Sequence, residues 1–363
     1  MTARTRMLVR DLWHLRGQVV AAALVVACGV ASFVSMRGTY ASLLVARDDY
    51  YQRFRFADVF AQLKRAPTAL LPRLAAIPGV AAVRTRVVRD VTLDVPGLAE
   101  PAVGRLISVP ERRQPMLNDL HLLRGTWVQR GHPDEVIASD AFAAANRLGL
   151  GDRIGAVING RWRRLTIVGV GLSPEYIYEV GGGSIFPDNK RFGVLWMGEE
   201  SLASAFDMDG AFNDVVVALA AGAVEADVVD GLDRALERWG GLGAFGREDQ
   251  VSHRFISDEI SQNRITSTFI PAIFLAVAAF LLHIVLSRLV SLQRTEIGVL
   301  KAFGYSNRVV GLHYLELAAA TVLGGVLLGT GAGIYLGTVL TRLYRDFYRF
   351  PALAFHAGPD VLG

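Results

Sequence analysis

The sequence predicts an α-helical membrane protein with three spans and a large α+β domain outside the cytoplasm. Three observations carry this reading. The chain is 52% hydrophobic and 20% charged over 363 residues, and its mean hydropathy of +0.34 exceeds that of a typical soluble domain. Its long charge-free runs lie in three places, one near the N-terminus and two near the C-terminus. Between the first and second lies a polar, turn-rich stretch long enough to bury a core of its own.

The first run, Gly17 to Met36, has no charged residue; its length covers about 30 Å as a helix, the thickness of a hydrocarbon core. Arg4, Arg6, Arg10 and Arg16 precede it against Asp11 alone, which places the N-terminus in the cytoplasm. Met7, Leu8, Leu12 and Leu15 recur at helical spacing, so residues 1–16 read as an amphipathic arm and 17–40 as the first span. A cleaved signal peptide would have a shorter apolar region and a small-residue cleavage site. Val25 to Gly29 loosely resembles a lipoprotein cleavage box, but the apolar run continues past Cys28, so a retained anchor is expected. Cys28 is the single cysteine, which excludes an intrachain disulfide.

Ser267 to Ser287, interrupted by His283, marks a second span over 265–288. The third, over 309–343, is charge-free from Leu317 to Thr341. The connecting segment 289–308, with its flank, holds Arg288, Arg294, Lys301 and Arg308 against Glu296, so it is cytoplasmic and the tail 344–363 falls outside. Arg342, Arg345 and Arg349 are exceptions to that pattern. Gly325, Gly329, Gly333 and Gly337 recur every four residues, a spacing that lets helices approach closely in lipid, and Gly324 and Gly331 thin the helix further. His283 and Glu316 are polar groups within or near the spans. Such groups suggest ion or proton pathways by default, although Glu316 is near enough to the basic loop to snorkel or cap.

Residues 41–264 read as the extracytoplasmic domain. Ala57–Leu63 is expected as a strand, Pro67–Ile77 as a helix and Val80–Val95 as a strand. Asn213–Ala220, Val224–Trp239 and Leu242–Phe245 repeat the strand–helix–strand order, so the two ends can pair into one ferredoxin-like layer. Ala102–Val109, Asp152–Ile158 and Arg163–Gly169 are expected as strands of a β-rich insert, with a short helix within Glu135–Leu148. Asp258–Thr266 is expected to continue as helix into the second span.

No catalytic or metal constellation is found. Gly169-Val170-Gly171 lacks the third glycine of a dinucleotide loop and meets Pro174, and Gly181-Gly182-Gly183 is followed by no Lys-Ser or Lys-Thr. There is no G-x-x-x-x-G-K-[ST] sequence, so no ATP site of that type. His121, His132 and His253 make no metal-binding spacing and read as solvated surface histidines. The positive charge, +4 overall, is scattered and forms no nucleic-acid stripe.

The segment Gln293 to Ser306 contains Arg294-Thr295-Glu296-Ile297-Gly298-Val299-Leu300-Lys301-Ala302-Phe303-Gly304. Here the sequence resembles the FtsX/MacB-type permease family, which carries an R-x-E-I-G-x-L-K-A-x-G stretch after its second span. The third span's glycines, Glu316 near its start, and Pro78-Gly79-Val80 after the outer domain's first helix fit the same pattern. The resemblance implies a dimer or pseudo-dimer in a bacterial inner membrane, with separate ABC ATPase subunits that hold the ATP and magnesium. Those subunits would dock at Arg294, Glu296, Ile297, Leu300, Lys301 and Phe303, of which Ile297, Leu300 and Phe303 share one helical face. It implies export or extraction of a lipid, lipoprotein, peptide or hydrophobic compound by mechanotransmission, with membrane lipids and a periplasmic adaptor as further partners. The alternative is a signalling relay to a periplasmic partner such as a cell-wall hydrolase. The family also has a fourth span, expected here beyond Gly363 or on another polypeptide.

Overall fold

The computed structural model describes residues 10, 12–14, 16–181, 186–356 and 358, with only the backbone of Leu300. Most of the N-terminal arm, with Met7, Leu8 and Leu15, therefore lies outside the described residues, as do Gly182 and Gly183. The chain divides into two compact units, one of residues 1–45, 259–344 and 353–363, the other of residues 46–258 and 345–352.

The first unit is helical. Helix α1, Arg16–Arg53, begins in it. Among the described residues three helices are long and apolar enough to cross a membrane: α1 and two near the C-terminus, Val251–Leu292 and Asn307–Phe347. Their 38, 42 and 41 residues each exceed the roughly 20 that a bilayer core needs. The helix expected at Asp258–Thr266 is part of Val251–Leu292.

The second unit starts with a four-stranded antiparallel layer. Strands β1 (Val59–Pro67) and β2 (Val80–Arg86) flank the short helix α2 (Leu71–Ala75). Far along the chain, β10 (Ala211–Leu219) and β11 (Gly241–Gly246) flank α5 (Glu225–Leu236). The order β11-β1-β10-β2 makes this the ferredoxin-like layer. Its amphipathic α5 buries Val228, Leu232, Ala235 and Leu236 against Val59, Phe212 and Val215 of the sheet.

Between the two halves is a β-rich lobe: β3 (Val88–Asp94), β4 (Ala102–Val109), β5 (His121–Gly125), β6 (Glu135–Ser139), β7 (Arg153–Ile158), β8 (Arg161–Leu172) and β9 (Phe192–Gly198). Pairing runs β8-β6-β9-β4-β3-β7, and β7 returns to β8, so six strands close on themselves. Helices α3 (Asp140–Ala145) and α4 (Glu199–Ala205) pack on them, and Phe142, Leu93, Ile154, Leu165 and Met197 fill the core. Closure removes exposed sheet edges.

The stretch expected as one strand, Val80–Val95, is two strands in two sheets, broken at Val87. Asn213 stands at the switch. Its side-chain oxygen accepts from the Val88 N–H, and its amide donates to the Val88 carbonyl, both at 2.8 Å. A side chain thereby supplies the partner that the next residue of β10's ladder would otherwise provide.

Candidate functional site

The predicted coupling segment folds as α6 (Val251–Leu292), α7 (Arg294–Ala302) and α8 (Asn307–Phe347). Gln293 leaves helical geometry between α6 and α7, and Gly304, at φ +90°, ends α7 where a β-carbon would be strained. The Tyr314 hydroxyl donates to Gln293 Oε1 at 2.7 Å, bracing the start of α8 against the α6–α7 corner.

Arg294, Glu296 and Lys301 are exposed along α7. Ile297 is half-buried, whereas Phe303, just past the helix end, is 79% exposed. The shared face expected for Ile297, Leu300 and Phe303 thus spans two environments, and the side chain of Leu300 lies outside the described atoms. Val299, not singled out by sequence, is also exposed. An exposed short helix with charged edges and a protruding aromatic can enter a groove on another protein.

Gly325, Gly329, Gly333 and Gly337 of α8 are buried. A β-carbon on Gly329 would fall 2.6 Å from the Ala27 carbonyl oxygen, and one on Gly333 2.7 Å from Val34 Cβ. Gly325 meets Ala23 and Val26 in the same way, and Gly337 meets the ring of Phe355. Gly324 and Gly331 face open space. The buried stripe is longer than the glycines: His313, Leu317, Thr321 and Thr341 extend it at the same spacing of four. His313 escaped the sequence reading, although counting back from Gly325 in fours reaches it. Glu316 is half-buried one turn on, and His283 is exposed on α6.

At the other end of α6 and α8, the Tyr344 hydroxyl bonds Glu259, and Asn263 bonds both. Pro271 lies within α6, shortly after Thr266, Ser267 and Thr268, each of whose hydroxyls bonds a carbonyl of the preceding turn. Proline has no N–H for a helix bond, so this is the turn of α6 where bending is expected.

In the second unit, Arg86 is buried between Glu175, at 2.6 and 3.0 Å, and Asp214, at 2.8 Å. Asn118 completes the site by donating to Glu175 at 2.8 Å. Burial alone would raise Glu175, but Arg86 and Asn118 hold it below its ordinary value; burial prevails at Asp214, which is raised. This network ties β2 and β10 of the ferredoxin-like layer to the turn after β8.

Glu179 is also buried, bonded by the Ser139 hydroxyl at 2.7 Å, and burial pushes its carboxyl up to about 8. Beside it the segment after α8 is held in place. Arg349 N–H donates to the Ile177 carbonyl, its guanidinium pairs with Asp140, and Phe350 packs edge-on to Tyr50.

The reading of His253 as a solvated surface group is corrected. It sits between the hydroxyls of Tyr51, at 2.9 Å, and Ser257, at 3.1 Å. Burial, with Arg47 and Arg247 close by, pushes it down to about 4. Among the described residues no cluster of three or more His, Cys, Asp or Glu could hold a metal ion.

Residues 268–358 match the family of the FtsX-like permease C-terminal domain, and the resemblance drawn from the coupling segment is met there. A search of curated proteins returns no match. Among solved structures, the chain is similar to the periplasmic region of MacB from Actinobacillus actinomycetemcomitans, with 10% identity and a TM-score of 0.35 over 58% of this chain and 95% of that one. It is also similar to the extracellular domain of the ABC-type transporter YknZ from Gram-positive bacteria, with 13% identity and a TM-score of 0.34 over 52% and 98%.

Proposed function

We propose that this chain is an FtsX-like permease, the membrane subunit of an ABC-type transporter. A separate ATPase, holding the ATP and magnesium, docks on α7, and its closure is passed to the α+β domain to export or extract a lipid, lipoprotein, peptide or hydrophobic compound. The observation that carries this reading is the geometry of α6 and α7. Helix α7 is exposed, and it joins directly to a helix of 42 residues that begins in the α+β unit. At 1.5 Å per residue α6 spans about 63 Å, twice a hydrocarbon core. A push on α7 therefore acts on a lever longer than the membrane is thick. The subunit would sit in a bacterial inner membrane with its N-terminus inside, paired with a second permease unit and served by a periplasmic adaptor.

The test is co-purification in detergent with the ATPase encoded nearest the gene, comparing the wild type with an Ile297→Asp, Phe303→Asp double variant. The expected result is capture by the wild type and loss in the variant. Equal capture, or none by either, overturns the assignment of α7.

A further inference from the structure

The helical side of the ferredoxin-like layer carries a surface that the coupling reading does not use. Between α2 and α5 lies an open cleft of about 620 Å³. Its floor is apolar, formed by Ala76, Ile77, Pro78 and Ala235, with Gly231 at its middle. A glycine weakens a helix interior, and this one has a packing reason. A β-carbon on it would fall 2.8 Å from Ile77 Cγ2.

The charges on the cleft are sorted along it. Asp227, Asp230, Gly231 and Arg234 follow one stripe of α5, at the spacings of three and four that share a helix face. The chain leaving α2 runs antiparallel to that stripe, since Gly79 lies against Ala223 and Val228 while Ile77 lies against Gly231. Arg73, one turn before Ile77, therefore falls at the Arg234 end. The cleft thus has an acidic end, Asp227 and Asp230, and a basic end, Arg73 and Arg234. The dipole of α5 accounts for an acid in its first turn and a base in its last, but not for Arg73, which comes from another helix. All four side chains are exposed, and among the described residues none makes an ion pair or a side-chain hydrogen bond.

We infer that a second copy of the chain docks on this face about a two-fold axis near Gly231, the acidic end of each copy lying on the basic end of the other. Turned end for end, the cleft is complementary to itself, which is what an isologous contact requires. A uniformly acidic or uniformly basic partner would meet its own charge at one end. An apolar floor between charged ends is also the layout of an interface centre and its rim. The inference rests on the reading of the chain as one of two paired permease units, and adds the face and the partner.

The test uses the full chain in detergent, carrying Cys28→Ala and Ala76→Cys, treated with a short bismaleimide, with its mass measured separately without the reagent. Ala76 is exposed on the cleft floor beside the axis, so the parent should crosslink as a dimer. Asp227→Arg, Asp230→Arg should lower the crosslinked fraction at least about tenfold, as should Arg73→Asp, Arg234→Asp. Co-expressing the two variants under different tags should restore a crosslinked heterodimer to within about twofold of the parent, because unlike charges then face each other. Arg153→Asp, Arg164→Asp, exposed in the β-lobe, should change nothing beyond about twofold. Unchanged thermal unfolding of each variant confirms its fold. A dimeric mass without the crosslink, a crosslink indifferent to charge reversal, or a mixture that stays uncrosslinked overturns this face as the contact and leaves the pairing of permease units standing. A monomeric mass overturns both.

Discussion

In the helical unit the buried stripe of α8 is built on Gly325, Gly329, Gly333 and Gly337, where the β-lobe buries Phe142, Leu93, Ile154 and Met197. The difference follows from the solvent each meets. Lipid is as apolar as leucine, so burying a large side chain between spans gains little, and close backbone approach is what remains to be won. Water rewards every apolar area removed, at about 25 cal/mol per Å². Polar groups obey the same contrast. The α+β unit buries Arg86 only with two carboxylates and an amide around them, whereas the helical unit places hydroxyls of Thr266, Ser267 and Thr268 on its own carbonyls.

The largest effect is expected at the buried network. Arg86→Met leaves Glu175 and Asp214 side by side without their cation and should cost the α+β unit about 3–5 kcal/mol in urea unfolding. A loss below about 1 kcal/mol would show that water reaches these carboxylates and that the unit is looser than its packing implies.

Next is the glycine face. Gly329→Ala puts a methyl against the Ala27 carbonyl and should cost about 1–3 kcal/mol, read as a lower unfolding temperature in detergent. Gly331→Ala, two residues away and facing open space, should cost nothing. Equal effects at both positions would mean that the stripe is not a packing face.

The smallest effect is in pH dependence. Glu179 keeps a proton in the fold up to about 8, against an ordinary 4.5, so the folded state holds it where the unfolded chain has released it. Its contribution to stability therefore falls as pH rises from 4.5 to about 8. His253, pushed from 6.5 to about 4, works the other way, and its contribution is lost as pH falls through that window. The two trends oppose each other where the windows overlap, and only the Glu179 loss continues above the ordinary histidine value. Glu179→Gln should abolish the decline on the alkaline side, and His253→Gln should remove the acid-side loss, both measured by thermal unfolding against pH. A Glu179→Gln curve parallel to the wild type would place that carboxyl in contact with water.

The spans and the glycine stripe were legible because hydropathy and a spacing of four are local patterns in the chain. So were both halves of the ferredoxin-like layer, since each strand–helix–strand unit shows its own periodicity. Closure of the lobe was not legible. It depends on β8, Arg161–Leu172, pairing with β7 over Arg161–Thr166, with β6 over Thr166–Gly171 and with β5 over Gly169–Leu172, and no local pattern encodes that register. The break at Val87 was hidden because the apolar pattern runs on either side of it and Asn213, which bonds Val88 there, lies 125 residues from Val88 in the chain. Arg86 in a strand reads like any solvent-facing arginine, and its partner Glu175 comes from a segment that reads as a turn. In the predicted coupling segment, the motif was visible and the environment of each side chain was not: Phe303 projects while Ile297 is half-covered.

The most direct measurement is hydrogen–deuterium exchange of the chain mixed with the proposed partner, the ATPase encoded nearest its gene, with and without ATP. Transmission through α6 and α8 predicts an ATP-dependent change of protection in the α+β unit, centred on Val251–Asp258 and Arg345–Ala352 and absent in Phe303→Asp. A complex that hydrolyses ATP while exchange across residues 46–258 stays unchanged would contradict coupling between α7 and the α+β unit.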